Sequence, residues 1–374
     1  MEPRPLRIFL EPGYDGGRVA AWMLDLPGAL AHAASRGRAI SNGLSTAGLV
    51  REWTEAHGAD AGLPPFRWAE VAEEVPSAPT PDGRGRRVTF AAERRVVSEE
   101  ERETVVRRLE WARTDLHDIA GRVGAWTAKH GDLPGNEGDR EARDPASVLR
   151  HVAAAEARLA GRLGGSPYPV ELGAAPLDEE LAATRAWALE TVRKRHAAVG
   201  EDELTDDRGE TWTMAKVLRR LACHGFDHLR ELEHRLARVD GSAGRVHVSL
   251  ARRPTAGEAL ALLRSVGWDY YLEDPGAFAA ALEATDEVAA AWDGDRLVGM
   301  ARSITDGARN AFLATVVVHP RWQGLGVGER IMAALMDGRD DVRFALSAAS
   351  GMDAWYAKLG FVPDPHAMVR RRAR

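Results

Sequence analysis

A β-branched run that meets a glycine-rich turn and then a helix start constrains this chain more than any other stretch. It spans Val316 to Gly328, reading Val-Val-Val-His-Pro-Arg-Trp-Gln-Gly-Leu-Gly-Val-Gly, and Ile331, Ala334 and Leu335 continue it with helical period. Gly324, Gly326 and Gly328 remove Cβ atoms from the concave side and permit positive φ, so successive amide N–H groups can converge on one anion at a helix start. A pyrophosphate fits such a cradle. A plain strand-to-helix turn is the other reading, because a Gly-x-Gly alone is a weak motif.

Around this stretch, 374 residues exceed what one hydrophobic core organises, and two or three domains are expected. A net charge of −6, with arginines interspersed among acids, offers no field for nucleic acid or an anionic membrane, so neither is expected as a partner. A single cysteine, Cys223, excludes an internal disulfide. Nothing reads as a signal peptide or a bilayer-spanning run, so a cytoplasmic protein is expected. Only 4 of the 50 basic residues are lysine, which reads as the codon bias of a GC-rich bacterial genome.

Taken in order, Leu6 to Glu11 and Val19 to Leu24 flank a Gly/Asp turn as a hairpin, Ser35 to His57 has helical spacing, and Phe66 to Val75 returns as a strand. This predicts a small α+β unit over residues 1–80. Pro76 to Arg87 is a linker by composition. Ser98-Glu99-Glu100-Glu101 then has the Ser-x-x-Glu form of a capping box, and helices follow from there, from Asp144-Pro145, from about Asp178 to Val199 and from Thr213 to Val239. Four amphipathic helices over 96–240 predict a bundle. A Gly-rich hinge, Asp240 to Gly244, leads into residues 245–374, where strands at 246–250, 287–292, 296–304, 312–318 and 342–347 alternate with helices at 255–266, 275–284 and 352–358, with a last strand near His366 to Arg370. The whole is a multidomain α+β chain ending in a mixed α/β unit.

His224 and His228 lie one helical turn apart and share a face, and His151 lies mid-way along the second helix. Together they supply three ligands of a divalent metal site with open positions left for water or substrate, or they are surface and core histidines of long helices. Cys223 points about 100° away from His224 and reads as a small buried apolar residue.

Three family resemblances extend these readings. Gln323-Gly324-Leu325-Gly326-Val327-Gly328 after Val-Val-His-Pro resembles motif A of the GCN5-related N-acetyltransferases (GNAT), and Ala354-Trp355-Tyr356-Ala357-Lys358-Leu359-Gly360-Phe361 resembles that family's second signature. The resemblance implies acetyl-CoA as cofactor, its pyrophosphate on Gln323, Gly324, Leu325, Gly326, Val327 and Gly328 and its pantetheine beside Val316, Val317 and Val318. It also implies Tyr356 as the proton donor to the departing thiolate, with a packing aromatic as the other reading of that residue. Ala314-Thr315 stand where many relatives carry Asp or Glu, which leaves the general base to water relay or to Asp306, the nearest carboxylate in sequence.

Residues 98–239 resemble the DinB-like metal-binding four-helix bundles through Ser147 to Val152 leading into Glu156 and through Lys216 to Arg220 leading to His224 and His228. That resemblance implies the ligand set His151, His224, His228 and a Zn-, Ni- or Fe-class ion. The N-terminal unit resembles HicB-like antitoxin domains through Leu26-Pro27-Gly28, although Ala29 stands where many members carry Cys, and no toxin partner is implied. The expected function is acetyl transfer to a small-molecule amine with the bundle as a fused metal module. A metal-dependent hydrolase or thiol transferase with a CoA-binding appendage, and a non-catalytic ligand scaffold, are the alternatives.

Overall fold

The computed structural model describes residues 4–61, 65–78, 87–131, 144–164, 168–169, 173–199, 203–206 and 209–370. Most of the expected linker, 79–86, lies outside them, as does the side chain of His196.

The chain opens with strands β1 (Arg4–Tyr14), β2 (Arg18–Trp22) and β3 (Leu30–Ala33), helix α1 (Arg36–Ala56) and strand β4 (Phe66–Glu74). They form a sheet in the order β3-β2-β1-β4, with β4 parallel to β1 and the other pairs antiparallel. Alternation along β1 gives the sheet two apolar faces. Leu6, Ile8 and Leu10 pack with Ala39, Ala47 and Val50 of α1, whereas Phe9 joins Trp22, Phe90 and Cys223 on the opposite side. Strand β3 has only four residues at the sheet edge, too short to show a period in sequence.

Helix α2 (Glu99–His130) follows, then α3 (Pro145–Gly161), α4 (Leu177–Val199), the small pair β5 (Leu204–Thr205) and β6 (Thr211–Trp212), and α5 (Met214–Val239). Ser98, Asp144 and Thr213 each accept the amide three residues on, which explains why these helices start where the sequence indicates. Between the helices, Glu156, 3% exposed, accepts from Arg113 at 2.6 Å and from Arg185, clamping α2, α3 and α4. The expected hinge holds a one-turn helix, α6 (Ser242–Arg245), capped by Gly241 at φ 83°.

The remaining elements are β7 (His247–Ser249), α7 (Ala256–Ser265), a 3-10 turn at Asp269–Leu272, α8 (Pro275–Glu283), β8 (Glu287–Asp293), β9 (Arg296–Thr305), β10 (Asn310–Val318), α9 (Val327–Met336), β11 (Arg343–Leu346) and α10 (Asp353–Lys358). The sheet order is β11-β10-β9-β8-β7, with β10 and β11 parallel and the other pairs antiparallel. Helices α7 and α8 cover one face and α9 and α10 the other. The strand expected near His366 is not formed. Pro363 and Pro365 remove two ladder donors just ahead of it, and Met368 and Val369 stand exposed in irregular chain.

Helix α1 also packs against the last unit. Arg51, 4% exposed, makes a bidentate ion pair with Asp269, 1% exposed, at 2.7 and 2.9 Å. Arg51 Nη2 also donates to the Arg264 carbonyl at 2.8 Å, and the Phe66 amide donates to Asp269 at 3.0 Å. The backbones come close here. A Cβ at Gly48 would meet the Ser265 carbonyl oxygen at 2.1 Å. Beside this contact, buried His319 accepts the Arg321 amide on Nδ1 and meets Glu52 at 2.7 Å through Nε2. Burial opposes ionisation of Glu52, yet His319 and Arg296 hold its carboxyl down to about 2.

Among the described residues, no helix is long and apolar enough to cross a membrane. Breaking a buried pair by removing one partner costs about 3–5 kcal/mol, because the other charge stays buried. Arg51→Met is therefore expected to lower the unfolding free energy read from denaturant melts by an amount of that order, whereas Arg252→Met, whose partner Asp295 is exposed, leaves it nearly unchanged.

Candidate functional site

Strands β10 and β11 pair only from Asn310↔Arg343 to Leu313↔Leu346 and then splay apart. At the same level the β10–β9 register shifts between Ala314 and Val317, and Thr315 takes φ 53°, a left-handed value rare for a β-branched residue. The splay opens a cavity of about 750 Å³, walled by β10 from Phe312 to Val318, Gln323, Gly324, Gly328, the β11–α10 segment, Trp355 and Tyr356. This is ample for an extended cofactor arm. Val317 turns its side chain into the core, so this part of the strand offers main-chain groups to a ligand, as an edge strand does.

The glycine turn closes one end. Gly324 and Gly326 have φ of 73° and 75°, and a Cβ at Gly326 would enter open space. Val327 is buried in the core below, and Gln323 Nε2 donates to the Val318 carbonyl at 2.9 Å, fastening the turn to its strand. None of the amides from Gly324 to Gly328 donates a well-formed hydrogen bond among the described residues, and α9 begins without a side-chain cap. Unpaired amides in series at a helix N-terminus form an anion site. A pyrophosphate therefore fits the residues present.

Tyr356 is 8% exposed and lines the same cavity. Trp355 and Phe361 meet its ring edge-on, and burial raises its hydroxyl above the ordinary value. That hydroxyl has no protein partner among the described residues, so it is a protonated donor facing the cavity. Asp306 is elsewhere. It caps the β9–β10 turn, accepting amides of Ala308, Arg309 and Asn310 at 2.7–2.9 Å, and these bonds hold its carboxyl far below the usual range. It does not line the cavity, and Glu329 is the carboxylate that does.

Several lining residues escaped the sequence reading. Arg38, Ser41, Asn42 and Ser45 come from α1, so the N-terminal unit supplies part of the wall. Their spacing places them on one polar helix face, but nothing local shows what that face meets. Tyr270 and Tyr271 line the cavity as well, on the 3-10 turn that Asp269 anchors.

The histidines converge between α3 and α5. His151, His224 and His228 each offer a ring nitrogen, and these atoms lie within 4.8 Å of one another, against about 3.4 Å around a tetrahedral ion with 2.1 Å bonds. His224 Nδ1 is buried without a partner among the described residues, and burial, with the charges of His228 and His151, pushes its pKa down to about 2. His228 Nδ1 meets Glu231 Oε2 at 2.7 Å, the outer contact that orients a ligating imidazole. The donor set suits a divalent ion. Cys223 faces the N-terminal core instead, and burial pushes its thiol up to about 12.

Residues 284–363 match the family model described as "Acetyltransferase (GNAT) domain". An uncharacterized N-acetyltransferase, ycf52, of Porphyra purpurea is 40% identical over 73 residues, 19% of this chain and 42% of that protein. GCN5-related N-acetyltransferase 2, chloroplastic, of Arabidopsis thaliana is 39% identical over 77 residues, 20% of this chain and 30% of its own length. Among solved structures, a GNAT family acetyltransferase of Streptococcus pneumoniae aligns with a TM-score of 0.30 at 21% identity, covering 34% of this chain and 99% of that one. The chain thus spans less than half the length of these two sequence relatives, and the similarity locates a GNAT acetyltransferase domain at its C-terminal end.

Valine at position 326 would strain a left-handed φ and place its side chain where the amides converge. Gly326→Val is expected to weaken acetyl-CoA binding about 100-fold, read by calorimetry, with the circular dichroism spectrum preserved.

Proposed function

We propose that this protein is an acetyl-CoA-dependent N-acetyltransferase for a small-molecule amine. The observation that carries the reading is the amide series from Gly324 to Gly328, without well-formed hydrogen bonds among the described residues and set beside a splayed strand in the cavity that Tyr356 lines. Acetyl-CoA, when bound, supplies an activated acetyl thioester. The turn amides and the start of α9 receive the pyrophosphate, and the free main chain of β10 beyond Leu313 orients the pantetheine arm. Tyr356, kept protonated by burial, gives its proton to the departing thiolate. Asp306 is spent on its turn, and the amine loses its proton to water.

A panel of amines with labelled acetyl-CoA tests this. Labelled product is expected, and absence of acetyl-CoA binding would overturn the reading. Tyr356→Phe is expected to lower kcat about 100-fold while acetyl-CoA affinity stays within about threefold.

The orphaned Nδ1 of His224 favours a second reading alongside the first. We infer that His151, His224 and His228 hold a Zn-, Ni- or Fe-class ion in a DinB-like bundle, where open positions admit water or substrate for hydrolysis or thiol transfer. Wild-type protein titrated with Co²⁺ is expected to show the visible absorption of a bound ion at one equivalent, lost in His224→Ala. Acetyl transfer that survives chelation assigns the two sites separate chemistry.

A further inference from the structure

One cation in the wall of the acyl cavity has no counter-charge, and it comes from outside the residues that match the acetyltransferase model. Arg38, in the first turn of α1, lines the cavity and is partly buried. Its Nη1 lies against Met352 Sδ, a weak acceptor. No carboxylate of the described residues pairs with it, and burial lowers the pKa of its guanidinium with no acid to offset the effect. A cation in the first turn also opposes the dipole of its own helix. Two unfavourable terms without a compensating partner are a reason to ask what completes Arg38. The other charged lining residues do not. Glu329 accepts from Trp355, and Lys358 is an exposed cation at the end of α10.

The course of α1 indicates which anion is involved. That helix runs from the segment after one splayed strand to the segment after the other. At Arg38 the backbones touch, since a Cβ at Gly351, beyond β11, would meet the Arg38 amide nitrogen at 2.8 Å. Further along, Glu52 meets His319, the residue that follows β10. Between these contacts Ser41, Asn42 and Ser45 face the cavity. Met352, which Arg38 touches, directly precedes α10, and Trp355 of that helix stands over the glycine turn, where a Cβ at Gly328 would meet its ring at 3.0 Å. Arg38 and Gln323, the residue that opens the turn, also line a second, adjoining cavity of about 280 Å³. Asp227 lines that cavity too, but the charges acting on its carboxyl are those of His32, His228 and Glu231. Arg38 is thus tied to the glycine turn twice, by a wall shared with Gln323 and through Met352 and Trp355.

We propose that Arg38 binds a phosphate of acetyl-CoA, which makes the N-terminal unit part of the cofactor site. The inference rests on the acyltransferase reading. The turn amides are neutral donors and leave the charge of a pyrophosphate and a 3′-phosphate unbalanced, whereas a guanidinium offers paired N–H donors that match phosphate oxygens. Bound phosphate offsets both the burial of Arg38 and its conflict with the α1 dipole. Cofactor binding therefore tightens the N-terminal unit onto the acetyltransferase unit.

Full-length wild type, Arg38→Gln and Arg38→Lys, titrated with CoA and with 3′-dephospho-CoA by calorimetry, test this. Arg38→Gln is expected to weaken CoA binding about 30-fold, the loss of one charge-assisted bond, and Arg38→Lys should keep part of the affinity. An equal loss with 3′-dephospho-CoA assigns the contact to the pyrophosphate, and a loss confined to CoA assigns it to the 3′-phosphate; either supports the proposal. Unchanged CoA affinity overturns it, and a raised acceptor KM in that case moves the contact to the acceptor. Without ligand, Arg38→Gln should melt no lower than wild type, because the cation it removes has no partner; a lower melting temperature marks a structural anchor and counts against the proposal. Hydrogen exchange in the wild type guards against a variant that misfolds. CoA should slow amide exchange over residues 36–45 of α1, and exchange there that saturating CoA leaves unchanged refutes the contact. Calorimetry of the wild type separates the two inferences. No binding of CoA refutes the acyltransferase reading, whereas binding that Arg38→Gln leaves intact refutes only this one.

Discussion

The Arg51–Asp269 pair is the contact on which the working geometry depends. It joins α1, β4, α7 and the 3-10 turn at one buried point, because Arg51 reaches the Arg264 carbonyl while Asp269 also receives the Phe66 amide. Additional hydrogen bonds offset the desolvation of such a pair, and here Arg51 Nε is the donor left buried without a partner among the described residues. Since the turn carries Tyr270 and Tyr271, the same pair fixes one part of the cavity wall, and through α1 it fixes another. The neighbouring Glu55–Arg264 bridge is solvent-exposed on both sides and adds little by comparison.

A second dependence runs through α5. That helix carries His224 and His228 on one face and, further along, His234, whose Nε2 meets the Gln323 carbonyl at 3.2 Å. A Cβ at Gly324 would come within 3.2 Å of the same ring. The histidine cluster and the phosphate turn are thus braced by one rigid element, ten residues apart along it, or about 15 Å at the α-helical rise. Arg330, which donates to the carbonyls of Ala243 and Val246, braces α9 against the segment after α5.

What could be read from the sequence follows the range of the signal. Helix starts at Ser98, Asp144 and Thr213 were legible because a cap is decided within four residues, and the glycine turn because its amides and its strand are contiguous. The pairing of His224 with His228 needed only helical geometry, whereas the approach of His151 is a fact of packing. Asp306 read as the nearest carboxylate, but nearness in sequence is a poor guide across a β-turn, where the short side chain is captured by its own backbone. The strand expected near His366 does not form because the two prolines just ahead of it remove ladder donors.

The share of the cavity wall taken by α1 has a consequence for how such a protein diversifies. Residues 284–363 carry the similarity to acetyltransferases, but Arg38, Ser41, Asn42 and Ser45 belong to a different unit nearly 250 residues earlier. Exchanges on that helix face can reshape the chamber without disturbing the glycine turn or Tyr356. Chains with matching catalytic signatures could then diverge in acceptor through an appended unit, and a comparison confined to the signatures would group them as one.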